Sequence, residues 1–472
     1  MTETVTVPPV EQQSISTDAA RLLATTTKSV PQNVGNSPRW LLSLLPWMAL
    51  DAGTFRVNRR KVIAPPPRRV HATVSGASAT VDPAQLKAVP IFRGLPDDAL
   101  AAIASRLTVE QHAAGDTVQQ EGAPSRFVIV ADGKVEAVGS DPHGLDIRLA
   151  LLGAGTYIGQ EALVRSDTPS AATVRASTPT TLLVLTRESW DAIASNGVGV
   201  ADAMAEMAMV TDMANQFGER EIELQSGHEG EVEIPDTFVD YEDDPREIGL
   251  NIVQTVLRVH TRVTDLYNSP HDQLNQQLRL TVEAMKERQE WDLINHPETG
   301  LIGQTAPSMR LKARRGAPTP DDMDELLTLV WKQPAFFLAH PRAIAAFGRE
   351  CTRRGVPPPT VQMFGSPFLT WRGVPLVPSD KIGLRAGSNS GGRTSILLMR
   401  VGAERQGVVG LHQPGLQDEM PGSPSLSVRF MGINQTAVSS YLLTLYSSVA
   451  VMTDDALGVL EDVEVGRYHE YE

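Results

Sequence analysis

The residues best suited to ligand chemistry lie between Gly159 and Val174. They read Gly159-Gln160-Glu161-Ala162-Leu163 and, a few positions on, Pro169-Ser170-Ala171-Ala172-Thr173-Val174. A turn opened by glycine can aim several backbone N–H groups at one anion, so this pair of segments could cradle a phosphate. A second stretch, Gly387-Ser-Asn-Ser-Gly-Gly392-Arg393-Thr394, has phosphate-loop spacing with arginine in place of lysine. That loop needs a helix directly after it, whereas Ser395-Ile-Leu-Leu-Met-Arg-Val reads as a strand, so an exposed loop is the better reading. Gly153-Ala-Gly155-Thr-Tyr-Ile-Gly159 misses the dinucleotide fingerprint by one position.

Catalytic constellations are scarce. The ten histidines offer no pair at ligand spacing on one helix, and Cys351, the single cysteine, has no CxxC partner, which argues against a metal site. Cys351 falls in a helical pattern and reads as a small packed residue. No Gly-x-Ser-x-Gly elbow occurs, and His296-Pro-Glu-Thr-Gly reads as a turn after a helix. Trp331 to Phe337 reads as an aromatic helix in a core or subunit contact. No residue is assigned a catalytic role.

The elements around the cassette are short apolar runs closed by Gly115, Gly122, Gly133, Gly139, Gly153, Gly155 and Gly159, the texture of a small β-roll. A helix near Leu95–Ala104 precedes the runs, with Pro96 in its first turn, and Arg187–Asn196 reads as a returning helix. Upstream, residues 1–50 form an extended arm ending in an apolar anchor, Trp40–Trp47; Thr54–Ile63 is strand-like; and 64–69 is a proline-rich linker. Downstream, 201–225 reads as a helical linker. Leu250, Val253, Val256, Leu257, Val263 and Leu266 recur at helical spacing, and a second helix spans about His271–Asn295. Thr319-Pro320-Asp321-Asp322 starts another, and His340–Arg354 is closed by Gly355. The remainder is strand and turn.

Charge links the two sides of the β-roll. A basic strand with Arg56, Arg59, Arg60 and Lys61 is set against an acidic one with Glu229, Glu231, Glu233, Asp240, Glu242, Asp243 and Asp244. The simplest arrangement is a two-stranded ribbon with a domain inserted at its tip; two unrelated solvated clusters are the alternative.

At 472 residues the chain suggests two or three domains. Its 42 Lys and Arg against 56 Asp and Glu give a net charge of -14, with no basic face for nucleic acid. One cysteine fits a reducing compartment. The start lacks a signal-peptide pattern, and Leu41–Leu50, broken by Pro46, is too short to cross a bilayer, so no membrane partner and a cytoplasmic location are expected.

Residues 86 to 200 resemble cyclic-nucleotide-binding domains, through Pro90-Ile-Phe, Gly115-Asp, Glu121-Gly, Phe127-Val-Ile-Val-Ala-Asp-Gly-Lys-Val and Gly159 to Val174. The resemblance puts the ribose-binding glutamate on Gln160, or on Glu161 if the register slips, and the phosphate-binding arginine on Ser170. A lost charge-assisted contact forfeits about 1.5–3 kcal/mol, enough to remove micromolar affinity. Arg165 or Arg175 could compensate. The cassette is therefore Gly159, Gln160, Glu161, Ala162, Leu163, Ser170, Ala171, Ala172 and Thr173, with cyclic AMP or cyclic GMP as its only candidate ligands and no cofactor otherwise implied.

The flanks resemble shell proteins of the second encapsulin family, in the branch carrying a cyclic-nucleotide-binding domain. The carrying stretches are Leu22 to Gln32, Arg39 to Trp47, Gly53 to Arg60, Glu290 to Leu301 and Phe364 to Lys381. The resemblance implies an α+β Hong Kong 97-type phage major-capsid fold with the β-roll inserted. Its divisions are an arm over 1–50, the outgoing elongated loop over 51–80, the guest over 86–205, a linker over 206–230, and the loop return with spine-helix and axial domains over 231–472. It further implies a non-enzymatic, self-assembling icosahedral nanocompartment of T=1 geometry, with the guest domain outside. Cargo would dock on the inner wall through a disordered targeting segment. In this branch the cargo is a terpenoid enzyme, such as a terpene cyclase (2-methylisoborneol synthase) or a polyprenyl transferase; cysteine desulfurase belongs to a sister branch. A cyclic-nucleotide-responsive regulator, or a shell gated by the nucleotide, is the alternative.

Overall fold

The computed structural model describes residues 16, 18–19, 21–22, 29–51, 53–64, 69–140, 146–164, 168–196, 205, 209–210, 213–215, 217–227, 230, 233–261, 272–313, 316–386, 392–466 and 468. The chain forms two compact units, Met1–Val57 with Pro245–Glu472, and Asn58–Asp244. The fold is mixed α and β, with a β-roll unit inserted in the sequence between the two parts of the first unit.

The first unit is built on two sheets. In one, Val438–Val451 is the long central strand, flanked by Asn251–His260, Leu426–Ile433 and Val408–His412, with Trp47–Ala49 added in parallel at the edge. The other has seven strands, among them Phe336–Ala339, Arg393–Met399 and Leu457–Glu464, which are buried through most of their length. Alternate residues of Phe336–Ala339 face opposite cores. Phe336 and Leu338 pack with Leu41, Leu293 and Ile294, whereas Phe337 packs with Phe347, Leu326 and Cys351 of the covering helices. Those helices, Pro320–Leu329 and Pro341–Arg353, start and stop where the sequence indicates. Thr319 and Asp322 complete a reciprocal capping box, and Gly355 takes φ 73° just past the second helix.

Two helical readings are overturned. Leu250 to Leu257 lies in and beside the strand Asn251–His260, whose odd-numbered residues turn inward while Ile252 and Val256 are exposed; Val263 and Leu266 lie outside the described residues. Five β-branched residues (Ile252, Val253, Thr255, Val256 and Val259) favour the pleated backbone, and their spacing imitates a helix only by chance. Likewise the stretch Trp331–Phe337 is a turn running into the buried strand Phe336–Ala339, with Trp331 67% exposed.

The arm is held by both apolar and charged contacts. Leu41 and Leu45 enter the core beside the long helix Gln273–Asn295. Arg39 spans Glu283 at 2.5 Å and Glu287 at 2.8 Å, Ser37 donates to Glu287, and Lys381 reaches Glu287 at 2.6 Å. Burial raises the Glu287 carboxyl, but hydrogen bonds from Lys381 and Ser37 outweigh it and hold the group below its usual value. One turn on, Glu290 is fully buried, accepts from the Leu41 backbone N–H at 3.1 Å, and has no partner for Oε2. Burial pushes its carboxyl up to about 7.

In the second unit two four-stranded sheets face each other. One runs Tyr157–Ile158, Phe127–Asp132, Thr180–Leu185, Thr108–His112; the other Thr117–Gln119, Thr173–Ala176, Lys134–Ser140, Asp146–Gly153. Helices Asp97–Arg106 and Arg187–Asn196 close one end over Phe92, Phe127 and Trp190. The stretch 51–80 divides between the units: Thr54–Val57 pairs in the first, whereas Val70, Ala79 and Val81 pack into the β-roll core. Of 201–225, the described residues 205, 209 and 210 are helical; from Met213 on the described chain is irregular, with Ala214 bridging Arg220.

The ribbon exists, with Glu242 and Asp243 of the expected acids among its partners and Glu247 and Glu219 added from outside the acidic strand. Thr54–Val57 pairs antiparallel with Arg246–Gly249, placing Arg56 opposite Glu247 at 2.6 Å. Past the unit boundary Arg60 bridges Tyr241, and Arg59 meets Glu242 at 3.0 Å, Lys61 meets Asp243 at 2.8 Å and Arg60 meets Glu219 at 3.3 Å. Glu229 and Glu231 lie outside the described residues, and Glu233 is exposed.

Two predictions follow from these contacts. Reversing Arg59 to Glu should lower thermal stability, and adding Glu242→Arg should recover part of it, with a coupling on the order of 0.5 kcal/mol that shrinks at high salt. Additive effects of the two changes would refute the pairing. For Glu290 the folded value of about 7 exceeds the ordinary carboxyl value of 4.5, so its stabilising share is complete below about pH 4.5 and is lost as pH rises through 7. Glu290→Gln should therefore raise the melting temperature at pH 8, by on the order of 2 kcal/mol in stability, and leave it nearly unchanged at pH 4.5. An unaltered pH profile in the variant would exclude this account.

Candidate functional site

The cassette keeps its backbone shape. Gly159 has φ 75°, and a Cβ there would come within 2.0 Å of the Arg126 carbonyl oxygen, so only glycine lets the turn approach that strand. The short helix Glu161–Val164 follows, with the Ala162 N–H donating to Gly159 and the Leu163 N–H to Gln160. The returning helix grips it: Arg187 donates to the Ala162 carbonyl at 2.7 Å, and the buried Trp190 indole donates to the Leu163 carbonyl at 2.9 Å. The second half is fixed equally firmly. Ser170 exchanges backbone hydrogen bonds with Gly122 and Ala123, and Thr173 Oγ1 accepts from the Glu121 N–H at 3.1 Å.

The side chains give a different result. Ser170, where the resemblance puts a phosphate-binding arginine, is buried and its hydroxyl donates to the Ala172 carbonyl at 2.8 Å. It therefore closes on its own turn. Gln160 Oε1 is buried without a hydrogen-bond partner among the described residues, Glu161 is exposed, and Ala171 offers only a methyl group. Arg175 is half-buried on the strand Thr173–Ala176, directly across from Glu136, so its alternation is that of a paired strand. Arg165 lies outside the described residues. The nine cassette residues thus fall in two turns, one held against Arg126, Arg187 and Trp190 and the other against Glu121, Gly122 and Ala123, and none of the nine is cationic.

The other candidates behave as packing. Cys351 is fully buried, and burial beside Glu350 pushes its thiol up to about 11, the opposite of a nucleophile's requirement. Glu350 is held down to about 2 by hydrogen bonds from Arg353, which outweigh its burial, with Arg354 adding to them. Gly387 to Gly391 lie outside the described residues, and Arg393–Met399 after them is a strand, which removes the helix a phosphate loop needs. His296 Nδ1 faces the Thr299 hydroxyl at 2.9 Å within its turn. Among the described residues no group of three or more His, Cys, Asp and Glu could hold a metal ion, and no helix is long and apolar enough to cross a membrane. What the sequence left unseen is the carboxylate ladder Glu283, Glu287 and Glu290; its i, i+4, i+7 spacing on one helix face was the available signal.

Comparison with known proteins separates the same two parts. The family model for the SrpI-like type 2A encapsulin shell protein matches residues 207–467, and that for the cyclic nucleotide-binding domain matches 109–196. The type 2A encapsulin shell protein SrpI of Synechococcus elongatus is 61% identical over 251 residues, 53% of this chain and 80% of that protein. The type 2A encapsulin shell protein of Mycobacterium leprae is 57% identical over 250 residues, 53% of this chain and 79% of that one. Human cGMP-dependent protein kinase 2 is 33% identical over 108 residues, 22% of this chain and 14% of the kinase. The cryoEM structure of the holo-SrpI encapsulin complex from Synechococcus elongatus superposes with a TM-score of 0.55 at 38% identity, over 97% of this chain and 99% of that one. With the shell model spanning more than half of its length and the β-roll falling inside that frame, the chain belongs to the SrpI-like encapsulin shell proteins and carries an inserted cyclic-nucleotide-binding domain.

Proposed function

We propose that many copies of this chain close into an icosahedral nanocompartment of T=1 geometry that encloses a cargo enzyme in the cytoplasm, and that the chain has no catalytic activity of its own. The carrying observation is that segments on both sides of the guest form one compact unit and that the chain superposes on a shell protein solved in its encapsulin complex over 97% of its length. The cargo reading, a terpene cyclase such as 2-methylisoborneol synthase or a polyprenyl transferase held by a disordered targeting segment, is supported by the resemblance to the branch with this inserted domain. The net charge of -14 favours protein over nucleic acid as contents.

The inserted domain, in this reading, has kept the fold of a sensor without its grip. Ser170 turned onto Ala172, and Gln160 in place of a glutamate, remove both charge-assisted contacts to a cyclic nucleotide. A shell gated by cyclic AMP or cyclic GMP is the competing reading, favoured by the intact Gly159 turn and by the likeness to a kinase named for cyclic GMP.

Electron microscopy and sedimentation of the purified protein should show closed shells; a monomer or small oligomer under native conditions overturns the assembly. An enzyme co-purifying from the native host should resist added protease until the shells are opened, and mass spectrometry should identify it as a terpenoid enzyme. Calorimetry with cyclic AMP and cyclic GMP should show no saturable heat up to about 1 mM; a dissociation constant in the micromolar range would establish the gated shell instead.

A further inference from the structure

The first unit contains a pocket of about 360 Å³ between the arm, the long helix Gln273–Asn295 and the sheet carrying Val408–His412, a volume in the range of small-molecule sites. Leu42, Trp47 and Val282 contribute apolar wall, and Lys286, Gln289 and His412 contribute polar groups. Val282, Lys286 and Gln289 lie at i, i+4 and i+7 of the helix, so they share one face.

The polar groups have unmet capacity. His412 Nδ1 is buried with no hydrogen-bond partner among the described residues, and its ring is fixed edge-on to Trp47 at 6.2 Å. Gln289 is 8% exposed, and neither its amide nor the Lys286 ammonium has a partner among the described residues. The neighbouring Glu283 and Glu287 do not answer Lys286, because Arg39 and Lys381 already cover them. One half-buried positive charge without a partner among the described residues and one buried amide donor therefore share a mostly apolar pocket, which suits a partner that accepts hydrogen bonds and carries one negative charge.

We propose that this pocket binds a small molecule with a carboxylate head and an apolar body. The head accepts from Lys286 Nζ and from the Gln289 amide, and the body lies against Leu42, Trp47 and Val282. A phosphate dianion fits less well: its second charge would require Arg39, which is committed to two carboxylates. This assignment is independent of the cargo.

The test titrates assembled full-length protein with decanoate, decan-1-ol and decylammonium by calorimetry, followed by thermal shift. Decanoate should bind saturably, once per chain, and about tenfold or more tightly than decan-1-ol, with decylammonium giving no saturable signal. Lys286→Met keeps the apolar stem and should cost about tenfold in decanoate affinity without changing decan-1-ol binding. If sedimentation shows that this variant does not assemble, Gln289→Leu replaces it, with a smaller loss of about threefold expected. Absence of saturable decanoate binding below about 1 mM, or equal affinity in wild type and variant, overturns the proposal and leaves a water-filled pocket.

Discussion

The shell unit depends on one short antiparallel pairing, Thr54–Val57 with Arg246–Gly249, because it is where the chain returns after its long excursion through the guest. Val57 and Ile248 from the paired strands enter a core with Leu50, Val409, Leu411 and Ala450. Closing so long a loop would be entropically unfavourable if the excursion were unfolded. The guest removes that cost by folding with its own ends together: the Lys61 N–H donates to the Asp240 carbonyl at 2.8 Å and the Glu242 N–H to the Arg59 carbonyl at 3.0 Å. A folded insert with zipped ends acts, for the host, as a tight turn.

In that arrangement the fold of the guest does not depend on its cassette side chains. The β-roll is held by Phe92, Phe127, Trp190 and the apolar strands Phe127–Asp132 and Thr180–Leu185, none of which is a ligand-binding position. Even within the cassette, the features that remain are the structural ones. Gly159 is required by its 2.0 Å approach to Arg126, and Leu163 receives the Trp190 indole through its carbonyl. At position 170 the backbone bonds to Gly122 and Ala123 hold the turn, and the serine hydroxyl adds one bond to the Ala172 carbonyl.

The parts legible in the sequence are those fixed by local rules. Glycine-closed apolar runs gave the β-roll, Thr319 with Asp322 gave a helix start, and Gly355 gave a stop. Opposite charge gave the ribbon but not its register: Glu247, Glu242, Asp243 and Glu219 are the partners, and which acid meets which arginine depends on pairing that no local pattern specifies. The strand Asn251–His260 misled because Leu250, Val253 and Leu257 fit two periods at once, and only β-branching distinguishes them. Leu163 and Ser170 are assigned to the cassette by the resemblance to cyclic-nucleotide-binding domains, but the direction of the Ser170 hydroxyl is not, since it is set by the nearby Ala172 carbonyl.

The arm illustrates a division of labour between apolar and charged contacts that bears on assembly. Burying Leu41 and Leu45 supplies about 2 kcal/mol each, but such burial is indifferent to exact position. Position comes from the carboxylate ladder. Arg39 fits between Glu283 and Glu287, Ser37 closes on Glu287, and the Leu41 N–H reaches Glu290, so a shift of the arm by one residue would strand buried charge. The ladder is costly to keep, as the orphaned Glu290 Oε2 shows, and an apolar residue there would hold the arm more tightly and less selectively. A protein whose copies must meet in one register to close a container gains from selectivity at this joint more than from adhesion, and the unpaired carboxyl oxygen is the physical mark of that compromise.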